Sequence, residues 1–282
     1  MEIKDILLAL TTYPEATPVS AVDEAVAFAA AVGARISAIA CAVKIQAPGN
    51  VLAGAVLDVA ALVAAEAKKS STNAKVLLTA FQDAAEKRGV FQDRILERCL
   101  TSEAPGVLVE YARLRDLTIV PVPVGDYFDQ WYAEAIIFGS GHPTLVLPHT
   151  RKRAGAFALD VVAVAWDFSR PAARAVADAL PLLEKAKKVH VLTVANEKVI
   201  ESRRPTAEVA KYLGRHGVDV VLDTVDAADR RIGDILESYV TSCNADMLVM
   251  GAYGHSRIRE FILGGATKSM LSRPPLPIFL SH

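Results

Sequence analysis

Aromatic side chains are scarce: Phe, Trp and Tyr together make up 6% of the 282 residues. A core without them is filled by Ala, Val, Leu and Ile, which supply most of the 52% apolar content. That mixture suits parallel strands buried under Ala-rich helices. An excess of either charge is also missing. The 31 basic and 32 acidic side chains leave a formal charge of −1, and the longest basic cluster is Arg151-Lys152-Arg153. No global field therefore draws in nucleic acid or an acidic membrane. Cysteine occurs three times, at 41, 99 and 243, without C-x-x-C spacing. The expected reading is reduced, buried thiols in a cytoplasmic protein. The longest apolar stretch, VLAGAVLDVAALVAAEA from residue 51, is broken by Asp58 and Glu66. It reads as an amphipathic helix and not a membrane span. MEIKDILLAL carries an acidic residue at once and turns strand-like by Ile6, so no signal peptide is expected.

Catalytic signatures are missing as well. H-E-x-x-H, paired Cys/His ligands and G-x-S-x-G do not occur, which leaves metal and hydrolase chemistry unsupported. The G-x-x-x-x-G-K-[ST] loop and the G-x-G-x-x-G fingerprint are absent, against a kinase-like ATPase or a dinucleotide enzyme. His142 and His149 read as turn residues, and His190 and His216 have no partner at ligand spacing.

What the chain has is alternation of short β-rich runs with longer helical ones, the mark of βαβ units and a parallel sheet. In the first half, strands are expected at 3–10, 34–43, 94–100, 117–123 and 144–148. Helices are expected at 19–31, 51–68, 73–88 and 107–115. The second half repeats the order, with strands at 161–166, 189–195, 218–226, 246–252 and 276–282 and helices at 171–185, 207–217 and 232–243. Ile6 and Val161 are 155 apart, Leu117 and Met247 130, and Leu145 and Ile278 133. The first half thus carries roughly 20 extra residues, read as a longer or additional helix around 45–70. The turn-rich stretch PHTRKRAGAF places a boundary near 153, giving domains 1–152 and 153–282.

Ligands of open parallel sheets bind beyond the carboxyl ends of the strands, where strand order switches. Two segments of the second half fall there. In AWDFSRP (165–171), Asp167 follows a strand, Ser169 reads as a helix cap and Pro171 sits in the first turn. In MGAYGHSRIREFILGGATKSML (250–271), Gly251 ends a strand, Gly254 follows, and Gly264 stands before Gly265, Ala266 and Thr267 at a helix start. Glycine lets backbone N–H groups approach a ligand closely, and a helix N-terminus adds free donors with about half a positive charge. His255, Arg257 and Arg259 could neutralise phosphate oxygens on the same loop.

The spacing Gly251-x2-Gly254-x9-Gly264 resembles the G-2x-G-9x-G-(S/T) signature of universal stress proteins, and Asp167 looks like that family's strand-one aspartate. The resemblance covers both halves. It implies an α/β chain of two tandem Rossmann-like domains, each a five-stranded parallel sheet flanked by helices, and binding of ATP, with or without Mg²⁺. Carried over residue by residue, the site comprises Asp167, Gly251, Gly254, Gly264, Gly265, Ala266 and Thr267. The strand-end residues Ala165 and Met250, and Val194 at the end of strand two, join them. The implied role is a cytoplasmic stress sensor or regulator with no or slow hydrolysis. A nucleotide-independent interaction module is the alternative. Gly265 departs from the pattern, because it stands where a Ser or Thr hydroxyl is expected; Thr267 could compensate. Trp166 could line the adenine pocket or fill it.

Aligned on these spacings, Asp167 corresponds to Thr12, and Gly264, Gly265 and Thr267 to Trp131, Tyr132 and Glu134. Bulky rings and the acids Asp126, Asp129 and Glu134 in VGDYFDQWYAEA oppose a phosphate. One nucleotide site per chain is therefore expected, with the first half as a built-in partner. The two fifth strands would pair within the chain, leaving room for a homodimer.

Overall fold

The computed structural model describes residues 2–45, 56–123, 125, 127–149, 157–196, 205–252 and 265–282. The first half runs β1 (Asp5–Leu10), α1 (Val19–Val32), β2 (Arg35–Lys44), α2 (Val56–Lys87), β3 (Phe91–Leu100), α3 (Ala104–Ala112), β4 (Leu117–Val122), α4 (Tyr127–Gly139) and β5 (Thr144–Pro148). The second runs β6 (Val161–Ala165), α5 (Arg170–Leu183), β7 (Lys188–Ala195), α6 (Ala207–Gly214), β8 (Val220–Asp226), α7 (Ile232–Ser242), β9 (Met247–Gly251), α8 (Gly265–Ser272) and β10 (Ile278–Ser281). The boundary expected near 153 lies outside the described residues.

The ten described strands share one sheet, ordered β3-β2-β1-β4-β5-β10-β9-β6-β7-β8. Neighbours are parallel except β5 and β10, which meet antiparallel with Leu145 opposite Phe279. Each half is thus a parallel unit whose order switches between its first and fourth strands. The antiparallel joint points the carboxyl ends of the two halves to opposite edges of the sheet. Helices α1, α2, α5 and α6 cover one face, with Phe28, Phe81 and Phe279 in that core. Helices α3, α4, α7 and α8 cover the other, around Ile136, Leu248 and Met270. Cover on both sides explains why β1, β4 and β5 are almost wholly apolar. The edge strand β3 carries Asp93, Arg94, Glu97 and Arg98, charges that discourage edge-to-edge pairing.

The two halves share a device at the start of their first strands. Asp116 Oδ2 accepts from the Lys4 and Asp5 amides at 2.8 and 3.0 Å. Asp246 Oδ2 accepts from the Val161 amide at 3.0 Å. This fixes the correspondence, keeps the offset of 130 between Leu117 and Met247, and corrects the other two by one residue. Ile6 pairs with Leu117 as Val162 pairs with Met247, so Ile6 matches Val162 and not Val161. Leu145 likewise matches Phe279 and not Ile278, because both face the same core. A slip of one residue would turn every strand side chain to the wrong face.

The extra length of the first half is one helix, where two separate stretches were expected. The polar run Ser70-Ser71-Thr72-Asn73 looks like a break in the sequence, yet α2 passes straight through it. Downstream, Ala74, Leu77, Leu78, Phe81, Ala84 and Ala85 are buried at helical spacing.

Candidate functional site

Beyond the carboxyl end of β6 the chain turns sharply into α5. Asp167 Oδ1 accepts from the Ser169 amide at 3.0 Å, which closes the turn. Phe168 takes a φ of 62°, an uncommon conformation for a bulky residue. Ser169 caps α5, its Oγ accepting from the Ala172 amide at 3.2 Å. The capping reading of Ser169 is therefore correct.

The N-terminus of α5 lies directly on Gly251. A Cβ placed there would stand 2.5 Å from both the Ala172 nitrogen and the Pro171 carbonyl carbon, and 2.8 Å from Pro171 Cβ. Backbone contact between helix and strand is thus reason enough for glycine at 251. It also brings the turn that carries Asp167 against the end of β9, at the switch point between β6 and β9.

Ala165, Val194, Met250 and Ala266, expected at the site, all pack against the cluster under α7 and α8. Met250 is buried, while the other three are half-exposed. Trp166 lies on the opposite face, packed against the other core with its ring 5.6 Å from Phe168. Helix α8 is seated by a second close approach. A Cβ on Gly233, in the first turn of α7, would fall 2.1 Å from Ser269 Oγ. Gly265 opens α8 and is exposed, and no described atom lies within 4 Å of where a Cβ on it would stand. Thr267 is 2% exposed, on the inner side of α8 with Met270 and Leu271. Gly254, Gly264, His255, Arg257 and Arg259 lie outside the described residues.

The corrected offsets change the partners assigned to the first half. Asp167 corresponds to Thr11 and not Thr12, Gly265 to Trp131, and Thr267 to Ala133. Ala133 is fully buried, which accounts for the inward position of Thr267. The carboxylate is still missing from the first half, where α2 is bonded to the ends of β1 and β2. Thr12 Oγ donates to the Cys41 carbonyl at 2.5 Å, and Cys41 holds the position of Val194. Ser70 Oγ of α2 lies 2.8 Å from Thr12 Oγ and accepts from the Val43 amide at 3.0 Å. Asn73 Nδ2 donates to the Thr12 carbonyl at 3.0 Å. Helix α4 begins at Tyr127, five residues after β4 ends, so a glycine segment like 251–264 has no counterpart here. The sequence reading missed the role of Ser70 and Asn73, because it placed Ser70 in a break between two helices and Asn73 at the start of the second.

Ser70 is fully buried and satisfies one strand amide and one hydroxyl. Ser70→Ala should therefore destabilise the chain by about 1–3 kcal/mol. Urea unfolding checks this; a loss under about 0.5 kcal/mol would show that the contacts are idle.

Two histidines without sequence partners find them in space. His190 Nδ1 stands 3.0 Å from Asp223 Oδ2, which also accepts from Tyr239 at 2.5 Å. Burial raises the Asp223 carboxyl, and these hydrogen bonds outweigh it and hold the group below its usual range. His216 Nδ1 lies 3.7 Å from Glu184. Cys41 and Cys99 are buried and Cys243 half-buried, all three as free thiols. Burial pushes the Cys41 thiol far up. Among the described residues no group of three His, Cys, Asp or Glu side chains is placed to hold a metal ion. No described helix is long and apolar enough to cross a membrane.

Residues 159–282 match the model of the family described as "Universal stress protein family". Along nearly its whole length the chain is similar in fold to a universal stress protein from Archaeoglobus fulgidus DSM 4304. That likeness has 17% identity and a TM-score of 0.67, covering 98% of this chain and 95% of the other. A protein from Pseudomonas aeruginosa UCBPP-PA14, itself proposed to be a universal stress protein, matches at 13% identity and a TM-score of 0.56. There the coverage is 99% of this chain and 93% of the other. No curated protein matches the chain.

Proposed function

From the match of residues 159–282 to the universal stress protein family, we propose that this half binds ATP or another adenine nucleotide, with Mg²⁺ on the phosphates. The site is the switch point between β6 and β9. Adenine and ribose would sit against Ala165, Val194 and Met250 beside Asp167. The phosphates would meet the segment from Gly251 to Gly264 and the N-terminus of α8 at Gly265, Ala266 and Thr267. The observation that carries this reading is the contrast between the halves. The second keeps three half-exposed apolar residues and Asp167 around the switch point, where the first is closed by Thr12, Ser70 and Asn73.

The protein would serve as a cytoplasmic stress sensor or regulator. Hydrolysis would be slow or absent, since Asp167 is the one candidate base at the turn and its Oδ1 already accepts from Ser169. The halves would act as a built-in dimer. The β5–β10 pairing already occupies the strand edges through which separate chains would join.

A nucleotide-independent interaction module is the second reading. It is favoured by Gly265 in place of a hydroxyl, with Thr267 turned inward. The lost hydrogen bond is worth about 0.5–1.5 kcal/mol, a weakening of up to about tenfold. Mass spectrometry of nucleotide released from the purified protein separates the two, together with thermal unfolding in millimolar ATP and Mg²⁺. Co-purified adenine nucleotide or a raised Tm supports the first reading. Neither signal would leave the interaction module.

A further inference from the structure

The antiparallel joint has a consequence for the edge where the second half keeps its site. Because β5 and β10 run in opposite directions, the end of α4 in the first half comes alongside the carboxyl end of β10 in the second. There Phe138 of α4 meets His282, ring centroids 5.0 Å apart and the rings 77° to one another. His282 Nδ1 is 3.1 Å from the Ala252 carbonyl oxygen, so the ring nitrogen carries the proton and donates. Ala252 is itself fully buried, and its amide donates to the Ser281 carbonyl at 2.8 Å. It is the residue directly before the segment that contains Gly254 and Gly264.

The opposite edge carries a matching arrangement. Ser272, the last residue of α8, corresponds to Phe138 of α4. Its carbonyl accepts from the Gly125 amide at 2.9 Å, just beyond β4. In both places the same helix position of one half holds the chain that leaves the fourth strand of the other. In the first half a direct backbone bond does this. In the second, an aromatic contact and a histidine stand between.

We infer that Phe138 and His282 form a clamp through which the first half fixes the end of β9 and thereby sets nucleotide affinity in the second half. Both are positioning residues, since neither belongs to the set at the switch point. The inference rests on the nucleotide reading for its effect on affinity, but the clamp itself can be measured without nucleotide. Donation to a carbonyl needs only a hydrogen on the side chain, so Gln at 282 should replace His in part.

The test uses the full-length protein and the variants His282→Ala, His282→Gln and Phe138→Ala. Hydrogen exchange of the peptide spanning Met247 to Ala252 is followed without nucleotide, and ATP–Mg²⁺ affinity is measured by calorimetry. His282→Ala and Phe138→Ala should speed exchange of that peptide and weaken ATP by about fivefold, with His282→Gln between them and wild type. His282 is exposed, so its removal leaves the core intact even if Phe138→Ala disturbs packing. Unchanged exchange in His282→Ala would overturn the clamp. Faster exchange with unchanged affinity would overturn its effect on the site. A wild-type chain that binds no nucleotide would refute the underlying reading instead, while the exchange result still decides the clamp.

Discussion

Gly251→Ala should destabilise the protein by about 2–3 kcal/mol, and Gly251→Val by more, because the position is over-packed by any side chain. The atoms in the way are backbone: the Ala172 nitrogen and the Pro171 carbonyl carbon, each 2.5 Å from where a Cβ would stand. They cannot rotate aside as the tip of a long side chain would. Helix α5 cannot retreat cheaply either. Ser169 caps it, and Ala172, Ala175, Val176 and Ala179 are buried beneath it. Relief would mean shifting the helix off the sheet, with loss of the turn at Asp167. Chemical denaturation with a tryptophan signal checks this, since Trp166 stands at that turn. A variant as stable as the parent would show that the helix moves freely, and the account of Gly251 would fail.

Gly254→Val has the opposite signature: nucleotide binding falls by about 10–100-fold while the unfolding midpoint stays within error. Gly254 lies outside the described residues, and its place beside a phosphate is implied by the G-2x-G-9x-G spacing. If backbone N–H groups there approach phosphate oxygens, a branched side chain holds them off and removes charge-assisted hydrogen bonds of about 1.5–3 kcal/mol each. Calorimetry on the variant measures the loss. Wild-type affinity in Gly254→Val would exclude the segment as the phosphate cradle. Together the two substitutions separate two uses of glycine within one motif, the first for helix–strand contact and the second for a ligand.

The duplication and the fold were legible because they rest on hydrophobic period. Apolar runs such as DILLAL and TLVLP need cover on both faces, and the interposed helical segments supply it. Register was less legible. Matching apolar run to apolar run is blind to which face a residue takes when both faces are buried, so offsets of 155 and 133 looked as good as the true 156 and 134. The paired aspartates Asp116 and Asp246, which tie the strand starts, supply the missing mark. The slip also hid why Thr267 turns inward, because its true counterpart is the buried Ala133 and not Glu134.

The helix α2 shows the same limit from another side. Ser70 has low helix propensity and reads as part of a break, with Asn73 opening the next helix, yet both lie within one helix and bond to the ends of β1 and β2. These bonds also tie α2 across the carboxyl ends of β1 and β2, a contact that no local pattern announces. Blockage of that half was expected from the rings and acids after β4, and α2 was not part of that expectation. Contacts between distant segments were out of reach for the same reason. Nothing near His190 in the chain points to Asp223, and nothing near His282 points to Phe138.

The account turns on one adenine-nucleotide site per chain, in the second half. Calorimetric titration of the nucleotide-free, full-length protein with ATP and Mg²⁺ measures that directly through its stoichiometry. One ATP per chain, weakened about 10–100-fold in Gly254→Val and kept in Ser70→Ala, is the predicted result; two per chain, or none, would contradict it.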